Sequence, residues 1–287
     1  MSNFIVKSQA HYQELYKASV ENPEKFWGDF AEQEFIWHKK WDKVLDYDLH
    51  KPEIKWFEGA KLNITENCID RHLASKGEQT AIIFEANDPN EEALHITYNQ
   101  LANNVNKTAN MLKANGAKKG DRICLYMPMT PELAYAVLAC ARIGAVHSVV
   151  FAGFSAKSLS DRINDAECTI VITADGGYRG SKITPLKEIT DEALESCACV
   201  EKVIVLNRTN SKIAMEYGRD VWWQDEFAKA SDICPAEVMD AEDMLFILYT
   251  SGSTGKPKGM VHTCGGYMVY ANYSFRNVFQ YQDGDIY

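Results

Sequence analysis

The sequence has 287 residues, of which 46% are hydrophobic and 24% are charged. This ordinary globular mixture excludes a disordered chain and a collagen-like repeat, and it supplies enough apolar side chains for a sizeable core. The 30 Lys and Arg residues stand against 40 Asp and Glu residues, so the formal net charge is −10. Such acidity argues against a nucleic-acid partner. The length allows one large domain or two smaller ones.

The first residues and the cysteines favour a cytoplasmic protein. Residues 1–17 lack the apolar segment that marks a secretory signal. The longest apolar stretch, residues 133–154, is interrupted by Arg142 and His147, so no contact with a membrane is predicted. The eight cysteines contain no CxxC pair. In a reducing compartment they are expected to be free, mostly buried thiols, and no metal site is predicted from them.

Residues 1–62 differ from the rest of the chain. Four of the six Trp residues lie there among many charges, at positions 27, 37, 41 and 56, and Asn22 followed by Pro23 is a good helix start. This segment is predicted to be a helical and irregular leader. Its aromatic side chains are expected to pack against a neighbouring domain, and an aromatic cage around a ligand is the alternative.

From residue 63 onward, strand and helix patterns alternate. Apolar runs predict strands at 80–84, 94–97, 122–127, 147–151, 168–174, 202–206 and 244–249. Between them, Thr97 and Gln100 form a capping box, Gly116 ends that helix, and Ser155 caps another. Repeated strand–helix–strand units predict an α/β fold, with parallel-sheet layers and helices on both faces. The strand over 244–249 is expected to form an open, hydrophobic edge.

The segment YTSGSTGKPKGMVHT, residues 249–263, is the strongest candidate ligand site. It follows the carboxyl end of a buried strand, which is where α/β proteins bind ligands. Its glycines let backbone N–H groups converge on an anion, while hydroxyl and Lys side chains add donors and charge, so a polyphosphate is the natural ligand. The candidate residues are Thr250, Ser251, Gly252, Ser253, Thr254, Gly255, Lys256, Lys258 and Gly259.

Two familiar phosphate loops do not match this segment. The Walker loop needs Ser or Thr after its Lys, whereas Pro257 follows Lys256 and offers neither an N–H nor a hydroxyl. The dinucleotide GxGxxG pattern is also absent. A short return strand, GMVH, with Thr263 as the cap of a following helix, indicates a loop that connects two strands. A plain Gly/Ser hairpin tip is the alternative interpretation.

The string YTSGSTGKPKG resembles the phosphate-binding signature of the adenylate-forming superfamily. The strings FWGDFAEQ, NITENCIDRH, KKGDRICLYMPMTPE and CARIGAVHSVVFAGFSAKSLSDRI narrow the resemblance to acetyl-CoA synthetases, over the whole chain. This resemblance implies an acetate–CoA ligase. Such an enzyme makes acetyl-AMP and pyrophosphate from ATP and acetate, then acetyl-CoA and AMP when CoA attacks. ATP, CoA and Mg²⁺ brought with ATP are the implied cofactors.

The resemblance also implies how the chain divides and what it lacks. Residues 1–62 correspond to the N-terminal leader, and residues 63–287 to the first portion of the AMP-binding domain. The catalytic residues and the C-terminal part of the enzyme are expected beyond Tyr287, so the chain alone is expected to be inactive. The alternatives are a propionate–CoA ligase of the same family and a non-catalytic module that binds a nucleotide or CoA.

A second site is implied in TADGGYRGSKITPLK, residues 173–187. By resemblance, Arg179, Gly180, Ser181 and Lys182 match the segment that contacts the phosphorylated nucleotide end of CoA, and Phe151 and Gly153 lie beside it. Two cations after a Gly-rich turn suit a phosphate, which agrees with this assignment. Ser181 stands where many relatives have a second Gly. A solvated basic turn is the alternative.

Overall fold

The structure is a computed structural model that describes residues 4–250 and 257–287. Its helices are α1 (Gln9–Glu21), α2 (Pro23–Glu34), α3 (Arg71–Lys76), α4 (Tyr98–Ala114), α5 (Pro131–Ile143), α6 (Ala156–Ala166), α7 (Leu186–Leu194), α8 (Trp223–Lys229) and α9 (Cys264–Ser274). Two π-helical turns cover Glu66–Asp70 and Phe275–Phe279.

Its strands are β1 (Lys43–Asp48), β2 (Glu53–Glu58), β3 (Lys61–Leu62), β4 (Thr80–Phe84), β5 (Leu94–Thr97), β6 (Arg122–Leu125), β7 (Val146–Val149), β8 (Ile170–Ala174), β9 (Gly177–Arg179), β10 (Lys182–Thr184), β11 (Lys202–Leu206), β12 (Asp220–Trp222), β13 (Met239–Asp240), β14 (Met244–Thr250) and β15 (Lys258–Thr263).

The chain forms two compact units. The first unit combines residues 1–67, Val238–Asp243 and His262–Tyr287, and the second combines Cys68–Glu237 with Met244–Val261. The first unit is therefore assembled from three stretches that are distant in sequence. The predicted division between residues 62 and 63 stays a prediction.

The second unit contains a central sheet with the strand order β12-β11-β8-β6-β7-β14-β15. Strand β11 pairs in parallel with β12 and β8, β6 with β8 and β7, and β14 with β7. Helix α4 packs on α5, and α6 packs on α7. The predicted α/β class with a parallel sheet is confirmed.

The middle strands of this sheet supply much of the core. Every residue of β8 is buried, as are Ile123–Leu125 in β6 and Val203–Leu206 in β11. Strands covered on both faces need apolar side chains at successive positions instead of alternating ones. This requirement explains the unbroken apolar runs that identified these strands in the sequence.

Local signals place the helix ends where the sequence indicated. The hydroxyl of Thr97 accepts a hydrogen bond from the Gln100 backbone N–H at 3.2 Å, and the Gln100 side chain accepts one from the Thr97 N–H at 2.9 Å. Gly116 follows the end of α4 with φ of +98°, a conformation that glycine adopts without strain. Ser155 caps α6 by accepting a hydrogen bond from the Ser158 N–H.

Two predictions about strands are wrong. Strand β14 does not form an edge, because it lies between β7 and β15, and the last strand in the order is β15. The leader is not purely helical and irregular, because β1 and β2 pair as an antiparallel hairpin with Leu45 opposite Trp56. Charged residues at both ends of these two short strands interrupt the apolar alternation that would have revealed them.

The aromatic side chains of the first unit pack together. The ring of Trp27 lies 6.4 Å from that of Trp56 and 5.1 Å from that of Tyr273, and Trp41 lies 5.1 Å from Phe57. Edge-to-face pairs at these distances stabilise a core beyond the area that they bury. The packing partners lie within the same unit, since Tyr273 belongs to α9.

Helices within residues 4–250 and 257–287 are all too short or too polar to cross a membrane.

Candidate functional site

A pocket lies at the carboxyl edge of the central sheet. The neighbouring strands β11, β8, β6 and β7 are parallel and therefore end at the same edge. The segments that follow them, with residues at the end of β4, enclose about 350 Å³. This is the edge at which open α/β sheets bind their ligands.

A short hairpin, β9–β10, forms one wall of this pocket. Arg179 and Lys182 are opposite each other across the two-residue turn of Gly180 and Ser181. Gly180 has φ of +60° whereas Ser181 has no positive φ, as in a type II′ turn, which needs Gly only at its first central position. Ser181 is therefore compatible with the turn. Like charges directly opposite on a hairpin repel, and a bound anion would relieve this repulsion.

The structure brings together only part of the sequence-predicted CoA set. Phe151, Gly153 and Arg179 line the pocket, while Gly180, Ser181 and Lys182 form the exposed tip of the hairpin outside the lining. Phe151 is 58% exposed, and a Cβ at Gly153 would lie 2.4 Å from the Cε1 atom of its ring. The ring thus occupies space that a side chain at position 153 would take.

Sequence reasoning missed several residues of the pocket. Arg208, Tyr178 and Thr130 line it, and Asn87 does so while its side-chain amide donates a 2.7 Å hydrogen bond to the Gly180 carbonyl. These residues come from segments far apart in the chain, and the strand order joins them. The signal that could have found them is their position directly after a predicted strand, combined with the rule that parallel strands share a ligand-binding edge.

The buried carboxylate of Asp175 fixes the loop after β11. It accepts hydrogen bonds from the backbone N–H groups of Arg208 at 2.7 Å, Thr209 at 3.0 Å and Ser211 at 2.7 Å, and from the Thr209 hydroxyl at 2.8 Å. Burial by itself raises the pKa of this carboxyl, but the hydrogen bonds outweigh burial and hold the pKa below its ordinary value. Asp175 therefore stays ionised and keeps Arg208 at the pocket.

The structure describes the two ends of the predicted phosphate segment. Thr250 is the last residue of β14, which runs parallel to β7, and Lys258 and Gly259 begin β15. All three residues are exposed. The six candidates Ser251, Gly252, Ser253, Thr254, Gly255 and Lys256 lie outside the described residues.

Contacts of Tyr249 and Gly259 hold the strands on either side of this segment. The Tyr249 hydroxyl donates a 2.6 Å hydrogen bond to Asp165 of α6, and the Arg162 guanidinium lies 5.5 Å from the centre of the Tyr249 ring. A Cβ at Gly259 would lie 3.1 Å from Ile247 and 3.3 Å from the Tyr249 ring, closer than ordinary contacts. A glycine at this position lets β15 approach β14 closely.

Fold and site together define an α/β protein with a pocket at the carboxyl edge of its parallel sheet, lined by Arg179 and Arg208, and with Lys258 exposed at the start of β15. A family model described as AMP-binding enzyme matches residues 69–287, and one described as acetyl-coenzyme A synthetase N-terminus matches residues 12–68. The chain belongs to the AMP-binding enzyme family.

Individual relatives agree with this family. An acetyl-coenzyme A synthetase from Magnetococcus marinus is 56% identical over 280 residues, which are 98% of this chain and 43% of the relative. Acetyl-coenzyme A synthetase 2 from Pseudomonas aeruginosa is 56% identical over 276 residues, covering 96% and 43%. The solved acetoacetyl-CoA synthetase from Streptomyces lividans superposes with a TM-score of 0.87 at 26% identity, covering 97% of this chain and 42% of that chain.

These matches cover almost the whole chain but only part of each relative. The chain spans 43% of the length of each of the two acetyl-coenzyme A synthetases. The resemblance to the N-terminal part of acetyl-CoA synthetases is confirmed.

Proposed function

We propose that the chain is the N-terminal part of an AMP-forming acetate–CoA ligase. The full enzyme would convert ATP and acetate to acetyl-AMP and pyrophosphate, and then transfer the acetyl group to CoA with release of AMP. The observation that carries the proposal is 56% identity to acetyl-coenzyme A synthetases over nearly the whole chain. A relative's name transfers to this chain only as a hypothesis, so the activity needs a direct test.

For the first half-reaction, residues 250–259 are proposed to hold the β and γ phosphates of ATP, which binds with Mg²⁺ as substrate. Acetate is already an anion at neutral pH, so its attack on the α-phosphorus needs no protein base, and positioning with charge stabilisation carries the rate. The exposed ammonium of Lys258 at the start of β15 and the hydroxyl of Thr250 at the end of β14 suit that task. Lys258 is proposed to be the more important of the two lysines in this segment.

For the second half-reaction, the pocket with Phe151, Gly153 and Arg179 is proposed to hold the phosphorylated nucleotide end of CoA. The adjacent hairpin tip, residues 180–182, would add Lys182 as a second cation. The aromatic ring of Phe151 suits stacking of a base, and an Arg suits bidentate binding of a phosphate. A solvated basic turn explains these features less well, because the hairpin places its like charges opposite each other beside a pocket.

The same proposal assigns the rest of the chain. Residues 1–62 would be the leader and residues 63–287 the first portion of the AMP-binding domain, with catalytic residues in the remaining part of the enzyme. Acetate, ATP and CoA would be its small-molecule partners, with no nucleic-acid or membrane partner. The enzyme would work in the cytoplasm, where these substrates are available.

The test uses the full-length protein that contains this sequence. We expect acetate, ATP and CoA together to give acetyl-CoA and AMP, with a much lower kcat/KM for propionate and acetoacetate. A preference for propionate would support the related ligase instead. Binding of ATP or CoA without turnover of any of these acids would support a non-catalytic module and contradict the proposal.

A further inference from the structure

We propose that Arg208 is a third cation for the phosphorylated end of CoA, and that Glu91 holds it in place until the phosphate displaces that carboxylate. This inference rests on the proposed assignment of the pocket to CoA. It adds a residue that lies 29 positions after Arg179 in the sequence yet lines the same pocket.

The backbone of Arg208 is positioned more firmly than that of an ordinary surface arginine. Its N–H donates a 2.7 Å hydrogen bond to Asp175, whose carboxylate also accepts from the next residue, Thr209. Asp175 is 1% exposed and directly follows β8. The base of the Arg208 side chain therefore starts from a fixed point at the sheet edge, which reduces the entropy lost when the side chain binds a ligand.

The guanidinium of Arg208 lies among groups that fix its direction while leaving donors available. It is 5.5 Å from the centre of the Tyr178 ring and 5.8 Å from that of Phe84. Glu91 accepts two hydrogen bonds from it, at 3.0 and 2.9 Å. A guanidinium carries five N–H donors, so this pair uses fewer than half of them.

The carboxylate of Glu91 is an exchangeable partner. Its side chain is 37% exposed, compared with 21% for Arg208, so the pair lies at the rim where water can replace either group. Exposed ion pairs of this kind contribute little stability, and exchanging the carboxylate for a phosphate costs little. A phosphate offers the same two-oxygen geometry with more charge.

The wall of the same pocket also contains a buried polar group. Thr130 is only 8% exposed, and its hydroxyl has no hydrogen-bond partner among the described residues. Thr130 precedes α5 without capping it, and it lines the same pocket as Arg208. A buried hydroxyl without a partner is costly, and it marks this part of the pocket wall as polar.

A phosphomonoester fits three cations better than a diester does. It carries nearly two negative charges at neutral pH, whereas each phosphate of a diester-type linkage carries one. Arg179 and Arg208 line the pocket, and Lys182, opposite Arg179 on the hairpin beside the pocket, supplies the third positive charge. Among the phosphates of CoA, the 3′-phosphate is the monoester, so it is the group assigned to Arg208.

The experiment measures the Kd of CoA and of 3′-dephospho-CoA by titration calorimetry, with the full-length protein and its variants. We expect R208Q to raise the Kd of CoA about tenfold, because one charge-assisted contact is lost. The Kd of 3′-dephospho-CoA should change less than about twofold. E91Q removes the competing carboxylate and is expected to lower the Kd of CoA severalfold. R208K keeps the charge and serves if R208Q fails to fold; it is expected to retain the preference for CoA.

The outcomes separate this inference from the proposed function. Equal weakening of both ligands by R208Q, or no change in either, overturns the role of Arg208. Weaker CoA binding in E91Q would likewise overturn it, because the pair would then be a support for the fold. Arg179→Gln is the control for the site itself: if it leaves CoA binding unchanged, the proposed CoA pocket is wrong. If Arg179→Gln weakens CoA while R208Q does not, only the inference fails.

Discussion

The hydroxyl of Tyr249 donates a 2.6 Å hydrogen bond to the carboxylate of Asp165, and this bond ties the end of β14 to helix α6. Burial and the neighbouring carboxylate raise the pKa of Tyr249 above its ordinary range, so the hydroxyl stays a donor at all physiological pH values. Tyr249 immediately precedes Thr250. The tie therefore fixes the point at which the proposed phosphate segment leaves the sheet.

Tyr249→Phe removes only this hydroxyl. We expect the free energy of unfolding to fall by about 1 kcal/mol, since one hydrogen bond is lost and Asp165 can turn toward water. Tyr217→Phe is the matched control, because Tyr217 is fully exposed and its substitution should leave stability unchanged. Urea denaturation followed by Trp fluorescence measures both. Equal stability of the two variants would mean that the bond does not support the strand end.

Lys258→Ala tests the proposed phosphate segment. In the full-length enzyme, the barrier for adenylation should rise by about 3 kcal/mol, which is typical of a lost contact to transition-state charge. Lys113→Ala, at an exposed position near the end of α4, is the control and should leave the rate unchanged. Single-turnover formation of acetyl-AMP gives both rates. A normal rate in Lys258→Ala would remove this residue from the phosphate site.

Asp175→Asn tests whether the buried carboxylate holds the loop after β11. The amide would turn a donor toward N–H groups that need an acceptor, so we expect a loss of about 2 kcal/mol in the free energy of unfolding at neutral pH. Asp232→Asn is the exposed control. A loss no larger than that of the control would contradict the anchoring role.

The lowered pKa of the same carboxyl predicts that the protein loses stability at acidic pH. Because the pKa of Asp175 is lower in the folded protein than in the unfolded chain, its contribution is complete above the unfolded value, about 3.9, and is lost as pH falls through the folded pKa. Denaturation midpoints measured below pH 4 should fall more steeply in the unmodified chain than in Asp175→Asn. Parallel curves would show that Asp175 does not cause the acid sensitivity.

The burial of His147 predicts that stability also depends on pH at less acidic values. Burial against Phe246 lowers the pKa of His147 to about 4, and its Nδ1 atom has no hydrogen-bond partner among the described residues. Between about pH 6.5 and pH 4, the unfolded chain binds a proton that the folded protein does not, so stability should decline as pH falls, by on the order of 3 kcal/mol in total.

His147→Phe should flatten the stability curve between pH 6.5 and pH 4. The exposed His50→Gln is the control and should keep the slope. Denaturant midpoints at several pH values in this range provide the comparison. An unchanged slope in His147→Phe would assign the pH dependence to other groups.

Much of the second unit was predictable because its signals are local. The capping box of Thr97 and Gln100, the stop at Gly116 and the cap at Ser155 each depend on residues within a few positions of one another. Continuous apolar runs likewise identified β8 and β11, because strands that are buried on both faces carry apolar side chains at successive positions.

The remaining features depend on which segments become neighbours. Arg179 was recognisable from its motif, whereas Arg208 carries no motif and reaches the pocket only because β11 lies beside β8. The predicted return strand GMVH is confirmed as part of β15, but the position of β14 between β7 and β15 depends on long-range pairing. The hairpin β1–β2 was missed because charges interrupt it. Such pairings are set by long-range packing, which a sequence pattern does not encode directly.

The central claim is that this sequence belongs to an enzyme that activates acetate with ATP. Acetate-dependent exchange of labelled pyrophosphate into ATP tests it most directly, because the exchange reports acyl-adenylate formation without the CoA step. The full-length protein should catalyse exchange with acetate and without added CoA, and the 287-residue chain alone should not. No exchange by the full-length protein, or exchange that does not require an acid, would contradict the account.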